Sequence, residues 1–315
     1  MAQYVANTIA GFLTLWWSSP FRPTKQFDKK EAKSSLAFGS NILGLDFLTF
    51  ASVNADNFLI ASFLGSTVLG YYTVAYRVLT IATELFTGVI NSLVLPVLSK
   101  LRDDRAAMQR AILKATRLTN ATAMPIFIFI AVLAQDLLPV VFGDQWHSSI
   151  PILQALCLGG AINAAVYFGG NVLMANNEPR LALTTSAVAT LLSIVAFGAT
   201  VHWGATAVAI GFAISSAIAW PIRVLAIRKV TGLQLATYFS QWIRSSVAVV
   251  IAAILMTAIR SVTEFAHVIN IVVIGSAGTL GYVLLLIVLD RPFVREVVSM
   301  TGAFRRKVSP QMPAS

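Results

Sequence analysis

Length orders the hydrophobic pattern of this chain before any period does. Nine apolar runs follow one another, Gln3 to Ser19, Ser35 to Phe63, Tyr71 to Leu98, Ala115 to Phe142, Ser149 to Met174, Leu181 to Val201, Ala205 to Ile227, Ile243 to Ile259 and Val268 to Leu289, separated by short polar or basic stretches. About 20 apolar residues in a helix cross a hydrocarbon core of about 30 Å. The runs therefore predict an all-α polytopic membrane protein of about nine transmembrane helices. Several runs exceed 25 residues, which predicts tilt, kinks or extension past the lipid. Pro125 and Pro139 are expected kink or end points in the fourth.

Within the runs, helical period picks out polar stripes. Thr73, Arg77, Thr80, Glu84, Thr87 and Asn91 recur at spacings of three and four, which holds them on one face of the third helix. Asn163, Tyr167 and Asn171 form a weaker stripe on the fifth, and Asp46, Thr49, Asp56 and Asn57 share a broader face of the second. The second and third helices are joined by the short turn Leu64 to Gly70, whose glycines suit a tight connection. Asp56 precedes that turn by eight residues and Arg77 follows it by seven. At 1.5 Å per residue both lie about 10 Å below the ends of their helices, so an ion pair between them is geometrically allowed.

A charge placed inside an apolar span costs roughly 2.5 to 3.5 kcal/mol on insertion scales and marks a cavity or an ion pair. Two readings stay open. In one, Arg77 with Glu84 or Asp56 is a helix-packing ion pair, and the Thr and Asn side chains are interhelical hydrogen-bond glue. In the other, Arg77 presents a cation to an anionic substrate head group in a central cavity lined by Thr73, Thr80, Glu84, Asn91, Asn163, Tyr167 and Asn171. Asp46, Asp56 or Glu84 then exchanges a proton or binds a coupling cation.

Composition narrows the class. The chain has 315 residues, 57% hydrophobic and only 11% charged, against about 25% charged in an ordinary soluble domain. Its net charge of +10 would suggest nucleic acid in a soluble protein, but the cations sit in short blocks between apolar runs, which argues against nucleic acid. Of the 23 Lys and Arg residues, 21 fall in alternate connections or in the tail, and the positive-inside rule places those segments in the cytoplasm. The chain is then expected to begin outside and end inside.

The first 19 residues hold no Lys or Arg, so the leading run reads as a membrane helix rather than a signal peptide. The segment from Val230 to Trp242 has apolar residues at helical spacing and is expected to lie in the interface. The tail from Thr301 to Ser315, with Arg305, Arg306 and Lys307, reads as a disordered basic end near anionic lipid.

The chemistry that is lacking also discriminates. The single cysteine, Cys157, excludes an internal disulfide and a Cys-based metal site and reads as a small packing residue. No Gly-x-x-x-x-Gly-Lys-Ser/Thr phosphate loop is present. His147, His202 and His267 are scattered, without metal-ligand spacing. Asp136, three residues before Pro139, reads as interfacial. Neither an enzyme activity nor a cofactor or metal is expected, because no outside loop exceeds about ten residues, too little to carry membrane glycosyltransferase or ligase chemistry.

Several short motifs in order resemble one family. Pro20-Phe21-Arg22-Pro23 precedes Phe38-Gly39; Asp56 is followed by Leu64-Gly65, Leu69-Gly70-Tyr71-Tyr72 and Ala75-Tyr76-Arg77. Then come Leu95-Pro96, Ser99-Lys100-Leu101, Phe142-Gly143-Asp144-Gln145-Trp146, Pro151-Ile152-Leu153-Gln154 and the segment Asn176 to Arg180. Together these resemble the polysaccharide-transporter branch of the MOP superfamily, the Wzx-type lipid-linked oligosaccharide flippases.

The resemblance implies two six-helix lobes followed by two extra helices. On that plan residues 1–19 are the last helix of a first lobe otherwise missing from the chain, 20–34 a basic cytoplasmic loop and 35–227 the second lobe. Residues 228–242 are then the interfacial segment, 243–290 the extra pair and 291–315 the cytoplasmic tail. The implied activity is transfer of an undecaprenyl-pyrophosphate-linked sugar repeat unit between leaflets for lipopolysaccharide or exopolysaccharide assembly, with a missing N-terminal lobe or other polysaccharide-assembly proteins as partners. The alternatives are a drug or cation antiporter of the same superfamily and a non-transporting membrane fragment that needs a partner.

Overall fold

In the computed structural model the described residues are 8, 10–11, 13–14, 16–17, 50, 54–101, 104–263, 265–291 and 293–295, with the backbone course alone given for 88–100. The chain divides into two units, Met1–Phe47 and Leu48–Ser315. In the first, every described residue from Thr8 to Trp17 is helical, and Thr14 donates its hydroxyl back to the Ala10 carbonyl at 2.9 Å. The basic loop 20–34, Asp46, Thr49 and the tail from Thr301 lie outside the described residues.

The second unit is a bundle of antiparallel helices: α1 (54–64), α2 (Ser66–Lys100), α3 (Arg105–Phe142), α4 (Ile150–Ala164), α5 (Gly169–Ala175), α6 (Pro179–Thr200), α7 (Ala205–Thr231), α8 (Leu235–Val262) and α9 (His267–Leu289). The corner between α1 and α2 is a single residue, Gly65, at φ +85°. An L side chain there would clash with the following carbonyl, so glycine alone suits it. The turn is therefore shorter than the sequence suggests, and α2 is already helical at Ser66. Gly70 belongs to that helix, where it leaves room for the Trp146 ring.

The helix α3 is the spine. Asp104 caps it by accepting the Ala107 N–H at 2.9 Å, and Gly143 ends it at φ +95° with its N–H on the Pro139 carbonyl. At 1.5 Å per residue its 38 residues run about 57 Å, well beyond a hydrocarbon core of about 30 Å. The extension past the lipid absorbs Arg105, Arg110, Lys114 and Arg117, which the charge pattern assigns to a loop. The helix also runs through Pro125 and ends only three residues beyond Pro139, so neither proline breaks it.

The centre of the bundle is α4, whose small residues Gly159, Gly160, Ala161 and Ala164 are buried. Small residues let helix backbones approach closely where lipid supplies no hydrophobic drive. A Cβ at Gly160 would lie 2.8 Å from Leu79 Cδ1 and 2.9 Å from Phe127 Cε1, so α2 and α3 close directly on that position. Cys157 is fully buried in the same core.

The last two helices pack on α3. Tyr282 of α9 donates to the Ala121 carbonyl at 2.7 Å, and Tyr238 of α8 donates to the Ala165 carbonyl at 3.0 Å. Residues 235–242 form the first two turns of α8. Their rings, Tyr238, Phe239 and Trp242, cluster against one another and Trp220 of α7.

Candidate functional site

The face of α2 that packs is Tyr72, Ala75, Val78, Leu79, Ala82 and Phe86, all buried against the bundle. The predicted stripe lies on the other side. Thr73, Arg77, Thr80 and Glu84 are exposed and Thr87 is partly so; the side chain of Asn91 falls outside the described part. Thr73 and Thr80 donate to the carbonyls one turn back, Leu69 at 2.8 Å and Tyr76 at 3.0 Å. Among the described residues nothing bonds to the side chains of Arg77 or Glu84, which stand about two turns apart on one outward surface.

Asp56 does not join them. It is 3% exposed, and its carboxylate accepts the Tyr72 hydroxyl at 2.7 Å and the Asn57 N–H at 2.7 Å. Tyr72 stacks on Tyr76 with ring centroids 6.0 Å apart. The ion pair that chain distance allowed between Asp56 and Arg77 is thus replaced by a buried Asp–Tyr bond between α1 and α2. Asp56 faces the core and Arg77 faces away from it.

The second stripe is broken by the backbone. The predicted fifth span stops at Ala164 and resumes at Gly169, and between them Val166, Tyr167 and Gly169 donate to carbonyls three residues back. This tightened turn opens a cleft of about 330 Å³ between α4, α5, α6 and α7. Asn163 and Tyr167 line it, with Gly169, Gly170, Thr185, Ser186 and Arg223; Asn171 is not among the lining residues. Arg223 Nη1 donates to Asn163 Oδ1 at 3.0 Å, and Asn163 Nδ2 donates to Ser216 Oγ at 2.7 Å. Because an arginine only donates, this bond fixes which way the Asn163 amide points.

Two carboxylates tie α8 and α9 to the spine. Near the Gly143 end of α3, Asp136 is 1% exposed and accepts from Arg260 Nη2 at 2.7 Å, while His267 Nδ1 lies 2.8 Å away and Asn270 Nδ2 3.4 Å away. Arg260 also donates to the Val132 carbonyl at 2.7 Å. At the other end, Asp290 is bound by Arg117 and, at 3.2 Å, by Arg244. Asp136 is therefore the hub of a hydrogen-bonded network among α3, α8 and α9, and His267 belongs to it rather than standing alone.

Sequence reasoning missed Arg223 because it was counted with the loop cations. The available signal was its position, with apolar Val224 to Ile227 between it and Arg228, which keeps it inside the helix. Asp290, ending the run Tyr282 to Leu289, carried a similar signal.

Fold and site together define a class: a polytopic all-α membrane protein, in which six described helical stretches, from Arg105–Phe142 to His267–Leu289, are long and apolar enough to cross a bilayer. Comparison with known proteins shows what the chain is similar to. The family model described as polysaccharide biosynthesis protein matches residues 1–151. Over 280 residues the chain is 24% identical to the teichuronic acid biosynthesis protein TuaB of Bacillus subtilis (strain 168), covering 87% of this chain and 58% of TuaB. Over 176 residues it is 26% identical to the lipopolysaccharide biosynthesis protein WzxC of Escherichia coli (strain K12), covering 56% of this chain and 36% of WzxC.

Among solved structures, the lipid II flippase MurJ in an inward closed conformation superposes with a TM-score of 0.67 at 16% identity, over 86% of this chain and 57% of MurJ. These matches support the polysaccharide-transporter family read from the motifs, and the MurJ likeness supports the fold. The chain spans little more than half the length of TuaB and of MurJ.

Proposed function

We propose that this chain carries part of a lipid-linked oligosaccharide flippase of the bacterial inner membrane, with its C-terminus in the cytoplasm. The substrate of this reading is an undecaprenyl-pyrophosphate-linked sugar repeat unit for lipopolysaccharide or exopolysaccharide assembly. One observation carries it. The face of α2 bearing Thr73, Arg77, Thr80 and Glu84 turns away from the helices its opposite face packs on. In a bilayer, ionised groups on such a face must meet water or protein rather than hydrocarbon.

Arg77 is the cation offered to the pyrophosphate, with Thr73, Thr80 and Asn91 along the same stripe and Glu84 as the coupling acid. Asp46 shares that coupling role. Asp56, bonded to Tyr72, instead positions α1 on α2. Rocking of one lobe against another gives alternating access in transporters built from repeats, and the outward stripe is suited to line such a path.

The test is complementation of a strain that lacks the corresponding transporter, using the full-length protein in its membrane. Arg77→Ala is expected to abolish surface polysaccharide at unchanged protein level and membrane insertion. Arg77→Lys, which keeps the charge, is expected to retain part of it. Wild-type polysaccharide from Arg77→Ala refutes the assignment of the stripe. Loss of cationic-drug resistance with polysaccharide intact would assign the path to the antiporter reading.

A further inference from the structure

The cleft at the broken helix lies behind the packed face of α2, where Tyr167 meets Phe86 ring to ring at 5.5 Å, so it is separate from the Arg77 stripe. Among the described residues its one cation, Arg223, has no countercharge. Arg223 is half-buried, receives only the neutral Asn163 amide oxygen at 3.0 Å, and is reached by no carboxylate among the described residues. A guanidinium carries five N–H donors, and among the described residues only Nη1 has a protein acceptor. The other buried arginine clusters are built differently, since Arg117 and Arg260 each have an aspartate. An arginine inside an apolar helix is retained at a cost, and its missing partner is the natural place to look for a ligand.

The surroundings suit an oxyanion. Thr185 and Ser186 of α6 line the same cleft, the Thr185 hydroxyl donating to the Leu181 carbonyl at 2.9 Å, and a Cβ at Gly170 would enter open space. Arg223 lies eight residues before the end of α7 and Thr185 six residues after the start of α6, so both sit about 9 to 12 Å inside their helix ends. Those ends carry Arg180, Arg228 and Lys229, all exposed. A basic rim over a recessed arginine draws in an anion and then holds it by charge-assisted bonds.

We propose that the Arg223 cleft binds a phosphate oxyanion, either the headgroup phosphate of a membrane lipid or free inorganic phosphate. Arg223 supplies the fork of donors, Asn163 holds that fork in place, and the Ser186 hydroxyl completes the shell. The site is independent of the transport reading and does not require the Arg77 face.

The experiment is native mass spectrometry of the purified, delipidated full chain with added phosphatidylglycerol. Wild type is expected to retain one lipid, and Arg223→Gln to retain it about tenfold less, the loss of a charge-assisted contact. Asn163→Asp puts a carboxylate against Arg223 and is expected to cause the same loss while keeping the helices joined. Arg110→Gln, an exposed cation of α3 outside the cleft, is expected to retain the lipid. Protection of Cys157 from thiol reagents confirms that each variant is folded.

Inorganic phosphate that displaces the lipid identifies free phosphate as a ligand of the same site; lipid retained against phosphate identifies the headgroup as its source. Equal retention in wild type, Arg223→Gln and Asn163→Asp overturns the proposal. Equal loss in Arg110→Gln does so too, because it would reduce the effect to surface charge.

Discussion

Asp136→Ala is expected to loosen the attachment of α8 and α9 to α3. The wild-type carboxylate is 1% exposed and takes both Arg260, whose side chain is 21% exposed, and the ring of His267. Removing it leaves Arg260 with only the Val132 carbonyl as acceptor. Deleting one partner of a buried pair costs about 3–5 kcal/mol, because the remaining charge is stranded out of water. At about 2–4 °C of midpoint per kcal/mol, unfolding should move down by roughly 6 to 20 °C.

The protein supplies its own reporter, since Cys157 is the single cysteine and is fully buried. A thiol-reactive dye in detergent solution therefore reads opening of the core during a thermal ramp. The reasoning further requires partial recovery in Asp136→Ala/Arg260→Leu, where no charge is stranded. An unchanged midpoint in Asp136→Ala refutes it. A double variant that falls as far as the single one also refutes it.

Three further perturbations follow from the packing. Gly160→Val places a branched side chain where a Cβ alone would meet Leu79 and Phe127 at 2.8 and 2.9 Å, and should destabilise by about 1–3 kcal/mol in the same dye assay. Gly198→Ala, where a Cβ meets nothing within 4 Å, should leave the midpoint unchanged or raised. Tyr72→Phe removes the 2.7 Å donor from buried Asp56 and should cost about 1–3 kcal/mol; a midpoint equal to wild type would show that the bond contributes nothing.

The sequence exposed the helices because length and composition alone decide what can cross a bilayer. It also exposed the one-sidedness of α2, since spacings of three and four define a face whatever surrounds it. It did not expose the break at residues 165–168, because Val166 and Phe168 continue the apolar run and only the backbone pairing, three residues back rather than four, reveals the turn. The networks at Asp136 and Asp290 were hidden for another reason. Their partners lie far away in sequence, as with Arg260 to Asp136 across 124 residues, and spacing says nothing about such distances.

The Asp56–Arg77 expectation failed instructively, and its failure sharpens the transport reading. Counting residues from a turn gives depth along a helix, but not direction around it. Tyr72, which holds Asp56, precedes Arg77 by five residues, and five residues turn an α-helix by about 140° beyond a full revolution. A residue at the right depth therefore points nearly the opposite way. Had Arg77 paired with Asp56, its charge would have been spent inside the bundle, and the stripe would have reduced to helix glue. With Asp56 satisfied by a neutral hydroxyl, the cation and Glu84 both remain on the outward face. The two roles that the sequence left entangled, holding α1 to α2 and, on the proposed reading, presenting charge to a ligand, fall to different residues on opposite sides of one helix.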